Sequence, residues 1–234
     1  DTVMLEQAFQ REAQRLARLH HPALPNVTDH FVENGGQFLI MRFIEGADLA
    51  EQLEQRGSSF PTQQVLMWAD HLLDALTYLH SQDPPLIHRD IKPANLKLTK
   101  QGEIILLDFG LSKGGRLGTA LQTRHSPASL YGYTPHYAPL EQIRATGTDE
   151  RSDLYALAAT LYHLGASKPP DALERAAEML SGNPDPLRPI RHLNPQMPPA
   201  VDDLIMQALK LNQNERPPSA KDMRHALQRA TQPV

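Results

Sequence analysis

Residues 86–110 read LIHRDIKPANLKLTKQGEIILLDFG, and this stretch decides the fold of the 234-residue chain. It places Lys92 two residues and Asn95 five residues after Asp90, and Asp108 follows an apolar run near its end. Phosphoryl transfer requires such groups, because the reaction must orient a hydroxyl, neutralise a moving phosphoryl group and hold magnesium through oxygen ligands. The spacing therefore indicates phosphoryl-transfer chemistry.

Local structure can bring these groups together. Pro93 disfavours helix at the residue before it, so residues 90–95 are predicted to form a loop. Residues 104–107 are predicted to be a short buried strand, joined to residues 96–98 through a turn at residues 101–102. A loop and a strand end can face each other across a cleft. A polar turn followed by an ordinary hairpin is the alternative interpretation, and both can hold at once.

The string H-R-D-x-K-P-x-N followed by D-F-G resembles the catalytic loop and metal-binding motif of bacterial members of the eukaryotic-like Ser/Thr protein kinases. The resemblance runs from about Phe9 to Leu227. It implies an α+β fold of the protein-kinase type, with a mostly helical C-lobe and an incomplete N-lobe made of helix C and two strands. The implied divisions are a partial N-lobe at residues 1–43, a hinge at residues 44–48 and a C-lobe at residues 49–231.

The resemblance also implies the roles of individual residues. Asp90 would orient the hydroxyl of a protein Ser or Thr and accept its proton, and Lys92 would steady the γ-phosphate of ATP. Asn95 and Asp108 would hold Mg²⁺. The positions that would bind the nucleotide cofactor are Glu12, Met41, Ile44, Asp48, Lys92 and Asp108.

Several of these positions also have a purely structural interpretation. Glu12 lies in a helix predicted over residues 4–19, where an acidic residue is usually a solvated surface group rather than the partner of a strand lysine. Asp48 is explained equally well as the N-cap of a helix predicted over residues 49–55 and as a ribose ligand. Asp153 is either a helix cap or the residue that anchors the catalytic loop.

Apolar spacing predicts the remaining elements. Leu16 and Val27 are expected to be buried under either interpretation of their role. The predicted strands cover residues 27–32 and 37–43, and the predicted helices are a long one from Pro61-Thr62, a buried central one at 154–164, and amphipathic ones at 200–210 and 219–230.

Residues 111–141 are rich in Gly, Ser and Thr and resemble an activation segment. An ordinary loop is the alternative interpretation. We expect Glu141, near its end, to form a buried bidentate ion pair with Arg216, and we expect Arg224 to lie on the exposed face of the last helix. Candidate phosphorylation sites, which Arg89 would recognise once phosphorylated, are Thr119, Thr123, Ser126 and Ser129.

Composition excludes several other classes of function. The net charge of −4 gives no case for nucleic acid as a partner, and the absence of cysteine excludes disulfides and thiolate metal sites. No apolar run reaches the ~18–20 residues of a membrane helix. We expect the domain to act in the cytoplasm on protein substrates, with a membrane tether elsewhere in a longer protein left open.

Residues 1–8 contain neither glycine nor lysine. We therefore expect the glycine-rich loop and the strand lysine of these kinases to precede this chain in a longer protein, and the chain alone to phosphorylate poorly. A pseudokinase-like module that binds a protein without catalysis is the alternative. The intact Asp90, Asn95 and Asp108 favour the enzyme. A small-molecule kinase of related fold is disfavoured by the match at Thr134-Pro135.

Overall fold

The computed structural model describes residues 14–33, 36–107 and 136–232. The helix predicted over residues 4–19 therefore falls largely outside the described part, and its described residues 14–17 are helical. Leu16 is buried, as predicted.

Two antiparallel strands, β1 (Val27–Glu33) and β2 (Gly36–Met41), confirm the prediction of a strand pair. Phe31 lies opposite Phe38, and their rings stack with centroids 5.0 Å apart. The second strand ends at Met41, two residues earlier than predicted.

Residues 20–24 are bonded to residues 74–78 and to Leu106. The backbone N–H of His20 donates to the Tyr78 hydroxyl at 3.0 Å, and His21 Nε2 lies 3.4 Å from Asp74 Oδ2. The N–H of Leu106 donates to the Ala23 carbonyl at 2.8 Å. Three independent bonds therefore hold this short segment in place.

After the helical residues 14–17, the next helices are α1 (Leu49–Arg56) and α2 (Thr62–His80). Asp48 caps α1 as predicted, because its carboxylate accepts from the N–H groups of Ala50 and Glu51. Helix α2 begins where Pro61-Thr62 predicted. Its apolar side is deeply buried, as the spacing indicated, through Val65, Trp68, Ala69, Leu72, Leu73, Ala75, Leu76 and Leu79.

A 3-10 turn at Pro93–Asn95 leads into a hairpin of β3 (Leu96–Leu98) and β4 (Ile104–Leu106). Gly102 has φ 81° in the connecting turn, a conformation that glycine adopts without a steric penalty. The hairpin confirms the predicted pairing, and it places β3 directly after the catalytic-loop string.

The remaining helices are α3 (Leu140–Ile143), α4 (Glu150–Ala166), α5 (Ala172–Leu180), α6 (Pro199–Ala208) and α7 (Ala220–Thr231). Helix α4 is buried on most faces, as predicted, and packs against α2 and α6. Asp153 does not cap it, which corrects one of the two predictions for that residue. The helix begins earlier, and Asp149 accepts the N–H groups of its first turn.

Helix α7 packs across α2, and the prediction for Arg224 is wrong. The Arg224 guanidinium donates to both carboxylate oxygens of Asp70, at 2.9 Å each, and also to Asp74. Its side chain is 26% exposed. The residue faces the acidic edge of α2 rather than solvent. Among the described residues, no helix has the length and apolar character needed to cross a membrane.

Candidate active site

The three residues predicted to be catalytic lie together. Lys92 Nζ is 3.1 Å from Asp90 Oδ2. Asn95 Nδ2 donates to the same Asp90 oxygen at 3.1 Å and to the Asp90 backbone carbonyl at 2.7 Å. A cation and an amide thus hold one carboxylate oxygen in a fixed direction.

Asp153 fixes the loop that carries these residues. Its carboxylate is fully buried and accepts the backbone N–H groups of His88 and Arg89, at 2.8 Å each. His80 Nε2, from the end of α2, lies 2.9 Å from the same carboxylate. A buried carboxylate with three donors is well satisfied, so the loop is anchored to both α2 and α4.

Arg89 occupies an unusual backbone conformation, with φ 66°. A non-glycine residue in this region is strained and persists where surrounding contacts hold it. Gln142 Nε2 donates to the Arg89 carbonyl at 2.7 Å, and Arg89 Nε donates to Thr148 Oγ1 at 2.9 Å. The loop is therefore also tied to α3 and to the turn that precedes α4.

The loop and the end of β4 face each other. The Leu107 N–H donates to the Asn95 carbonyl at 2.8 Å, and His88 Nε2 donates to the Leu107 carbonyl at 3.1 Å. The described segment 36–107 ends at Leu107, and Asp108 is the next residue in the chain. Asp108 itself, Glu12 and the four candidate phosphorylation sites lie outside the described residues.

Three of the residues predicted to bind the nucleotide lie between residues 41 and 48, a range that includes the predicted hinge at residues 44–48. Met41 is partly buried against the core, and Ile44 and Asp48 are partly exposed. Lys97 of β3 connects this segment to the hairpin, because its Nζ lies 3.3 Å from the Ile44 carbonyl and its backbone bridges to Asp48. Lys97 was not among the site residues predicted from the sequence. Its position two residues after Asn95 was the available signal.

The end of the predicted activation segment is held by a polar pair. The Tyr137 hydroxyl and His163 Nδ1 are 2.7 Å apart. Burial, with a smaller contribution from the nearby His136, lowers the pKa of His163 to about 4. Burial also raises the pKa of Tyr137 above its usual value. The phenol therefore keeps its proton and donates a hydrogen bond to the neutral imidazole.

The donor set at the loop fits a magnesium ion. The Asn95 amide directs its N–H bonds to Asp90, so its carbonyl oxygen is the atom that it can offer to a metal. Amide and carboxylate oxygens are the ligands that Mg²⁺ prefers. Asn95 and the carboxylates of the motif thus form a chemically suitable set.

Comparison with known proteins gives the family. Residues 1–228 match the model described as the protein kinase domain, and the chain belongs to this family. It has the protein-kinase fold and is a kinase domain of the bacterial Ser/Thr type. Members of the family use ATP and a divalent metal.

Individual relatives support this placement. The chain is 33% identical to the serine/threonine-protein kinase PksC of Streptomyces coelicolor, over 92% of its own length and 39% of that protein. It is 30% identical to PknB of Mycolicibacterium smegmatis, over 92% of its length and 34% of that protein. It therefore spans between a third and two fifths of these two relatives.

A solved structure gives the same result. The kinase domain of PknI from Mycobacterium tuberculosis is 28% identical and superposes with a TM-score of 0.70. The match covers 99% of this chain and 83% of that domain.

Proposed function

We propose that this domain transfers the γ-phosphoryl group of ATP to Ser or Thr hydroxyls of protein substrates. The observation that carries the proposal is the Asp90 carboxylate, held by Lys92 and Asn95 at 3.1 Å each. The family comparison supports the reaction class. The particular substrates and partners of the whole protein belong to this proposal as well.

Three residues of the chain have separate roles in the proposed reaction. Asp90 accepts a hydrogen bond from the substrate hydroxyl, orients it towards the phosphorus and takes its proton. Lys92 lies beside that carboxylate and offers positive charge to the transferring group. Asp153 keeps the backbone of the loop in place. When bound, MgATP supplies the phosphoryl group and part of the charge neutralisation.

The remaining assignments extend this proposal. Asn95 and Asp108 hold magnesium, and Glu12, Met41, Ile44 and Asp48 serve the nucleotide. We assign residues 1–43 to the N-lobe, residues 44–48 to the hinge and residues 49–231 to the C-lobe. The tight Leu107–Asn95 backbone bond supports the pairing of the two metal-binding segments, because Asp108 follows Leu107 in the chain.

Asp90→Asn tests the role of the carboxylate. The variant keeps the size of the side chain but cannot take a proton. In a protein extended at its N-terminus by a glycine-rich loop and a strand lysine, the rate of phosphate transfer from labelled ATP to a generic Ser/Thr protein should therefore fall by about 10²–10⁴-fold. Nucleotide affinity should stay nearly unchanged. Asp203→Asn, on the exposed side of α6, is the matched control. An unchanged rate in Asp90→Asn would refute the assignment.

Asp108→Asn separates metal binding from proton transfer. We expect this variant to weaken MgATP binding as well as the rate, because a carboxylate ligand of the metal is lost. If both aspartate variants lost only nucleotide affinity, the division of roles would be wrong.

Residues 1–8 lack the glycine and lysine of the phosphate cradle, so we expect the 234-residue chain alone to phosphorylate slowly. Rapid transfer by the purified chain would contradict this expectation.

A further inference from the structure

Lys97 lies between the hinge and the catalytic loop. Its Nζ is 3.3 Å from the Ile44 carbonyl oxygen and 5.7 Å from the centroid of the Phe43 ring. The residue is partly buried. A lysine so placed has its ammonium group bound to hinge backbone on one side and to an aromatic face on the other.

The strand ladder sets the direction of Lys97. Lys97 is paired with Ile105, and the bond from the Leu107 N–H to the Asn95 carbonyl extends the same ladder by one step. Asn95 ends the 3-10 turn that precedes β3, and Lys97 follows it by two residues in the chain. Lys97 is therefore close in sequence to Asn95, and its side chain reaches the Ile44 carbonyl from β3.

We propose that Lys97 is a positioning residue of the nucleotide site, whose ammonium group holds the Ile44 carbonyl and thereby fixes the hinge backbone against which the base of ATP binds. This inference rests on the proposed ATP-dependent function. It extends that function by naming a residue of the chain that sets nucleotide affinity without taking part in phosphate transfer.

The hinge backbone lies outside regular secondary structure, so the bond from Lys97 to the Ile44 carbonyl restricts its conformation. Gly46 has φ 103°, a conformation that few other residues adopt, and Phe43 is 79% exposed. The backbone between β2 and α1 thus lies outside both regular elements. A hydrogen bond from a charged donor is about twice as strong as a neutral one. Holding the Ile44 carbonyl restricts the peptide that follows it and keeps the base-binding surface formed before the nucleotide arrives.

A neighbouring lysine provides a matched control. Lys100 lies at the turn of the same hairpin and forms an ion pair of 2.8 Å with Glu45, the next hinge residue. Both side chains are mostly exposed, at 77% and 64%. Such a surface pair contributes little. Lys100→Met therefore removes the same charge from the same hairpin without removing the bond to the hinge carbonyl.

The experiment compares Lys97→Met with the parent and with Lys100→Met. Methionine keeps the length of the apolar stem and removes the ammonium group. We expect the Kd of Lys97→Met for MgATP, and for adenosine, to rise by about tenfold, as loss of a hydrogen bond to a charged group implies. KM for ATP should rise with kcat unchanged. Binding of magnesium tripolyphosphate, which lacks the base, should stay the same.

Two further variants make the result specific. Lys97→Arg keeps a charged donor and should restore most of the affinity, whereas a merely structural defect would not be rescued in this way. Lys97→Gln keeps a neutral donor and should fall between the parent and Lys97→Met. It also provides the comparison if Lys97→Met fails to fold.

The possible results distinguish the role of Lys97 from the proposed function. Equal affinities of the parent and the Met or Gln variants for ATP would overturn the inference, as would a fall in kcat at constant KM. A parent that binds neither ATP nor adenosine would overturn both this inference and the proposed function. A parent that binds ATP but transfers no phosphate would overturn the proposed function, and the binding constants would still decide the role of Lys97.

Discussion

Arg216 and Glu141 form the bidentate ion pair that their motifs predicted. Arg216 Nη1 donates to Glu141 Oε1 at 2.6 Å, and Nη2 donates to Oε2 at 3.1 Å. The arginine side chain is fully buried and the glutamate side chain is 10% exposed. The pair joins α3 to the segment before α7, across 75 residues of sequence.

The Arg216 guanidinium is satisfied beyond this pair. Its other N–H bonds go to the backbone carbonyls of Arg151, Lys210 and Leu211, and its central carbon lies 4.9 Å from the centroid of the Tyr155 ring. One side chain thus links α3 and the first turn of α4 to the residues that follow α6. Lysine cannot reproduce this planar set of five donors.

Arg216→Ala should be severely destabilising. The change leaves the Glu141 carboxylate without its cation at a largely buried site, which costs about 3–5 kcal/mol of a typical total of ~5–15 kcal/mol. The measurement is the urea midpoint of unfolding. Arg229→Ala, exposed on α7, is the control and should leave the midpoint nearly unchanged. Equal midpoints for Arg216→Ala and the parent would contradict the assignment.

Arg224→Ala should have a smaller effect. The Arg224–Asp70 contact is bidentate but partly solvated, with side chains 26% and 29% exposed, and we expect a loss of about 1 kcal/mol. The cost should shrink at high salt, because solvent-exposed charges are screened. A double-mutant cycle with Asp70→Asn measures the coupling. A coupling energy of zero would show that the contact contributes no stability.

Asp48 can be tested in both of its roles. Asp48→Ala removes the cap of α1 and should cost about 1 kcal/mol, whereas Asp48→Asn keeps an acceptor and should not. Urea midpoints of the two variants measure the cap. If Asp48 also binds the ribose, Asp48→Asn weakens ATP binding at unchanged stability. If the two variants are equally stable, the cap is energetically unimportant.

Stability should fall in mild acid because of His163. Its pKa is lowered to about 4 in the folded protein, against about 6.5 in the unfolded chain. The unfolded chain binds the His163 proton more tightly than the folded protein does. The contribution of neutral His163 to the free energy of unfolding is therefore complete above pH ~6.5 and is lost progressively as the pH falls towards ~4.

We expect this loss to be about 1 kcal/mol between pH ~7 and ~5, discounted for partial exposure. The measurement is the urea midpoint across that range, with His163→Gln as the comparison. That variant should show a flatter profile, because it has no imidazole to titrate. Parallel profiles for the two proteins would contradict the prediction.

The spacing of apolar residues and prolines predicted most of the fold, because helices, turns and hairpins are determined largely by residues close together in the sequence. The apolar period of α2 and α4, the prolines around the catalytic loop and the hairpin after it each depend on neighbouring residues in sequence. The cluster of Asp90, Lys92 and Asn95 belongs to the same class, since all three lie within one loop. These elements could be predicted without knowledge of the tertiary structure.

The errors concern residues whose role depends on a distant partner. Periodicity places Arg224 on a face of α7 but does not show that the acidic edge of α2 covers that face. Asp153 lies near a helix start, and Asp149 is an equally good cap residue one turn earlier. Helix α5 was missed, and its buried positions are Ala172, Arg175 and Ala176, whereas its large apolar residues Leu173, Met179 and Leu180 are exposed. Lys97 was not singled out, because its contact with Ile44 joins residues 53 positions apart in the sequence.

The bonds of residues 20–24 determine where the molecule can bend. These residues are bonded to α2 and β4, so we expect them to stay with these elements if the β1–β2 ribbon rotates. The ribbon is joined to that part by two chain crossings, at residues 25–26 and 42–46. The Arg42 N–H donates to the Asn26 carbonyl at 2.9 Å and links the two crossings. We expect any rotation of the ribbon to occur about an axis through this link, and Lys97 contacts the second crossing at the Ile44 carbonyl.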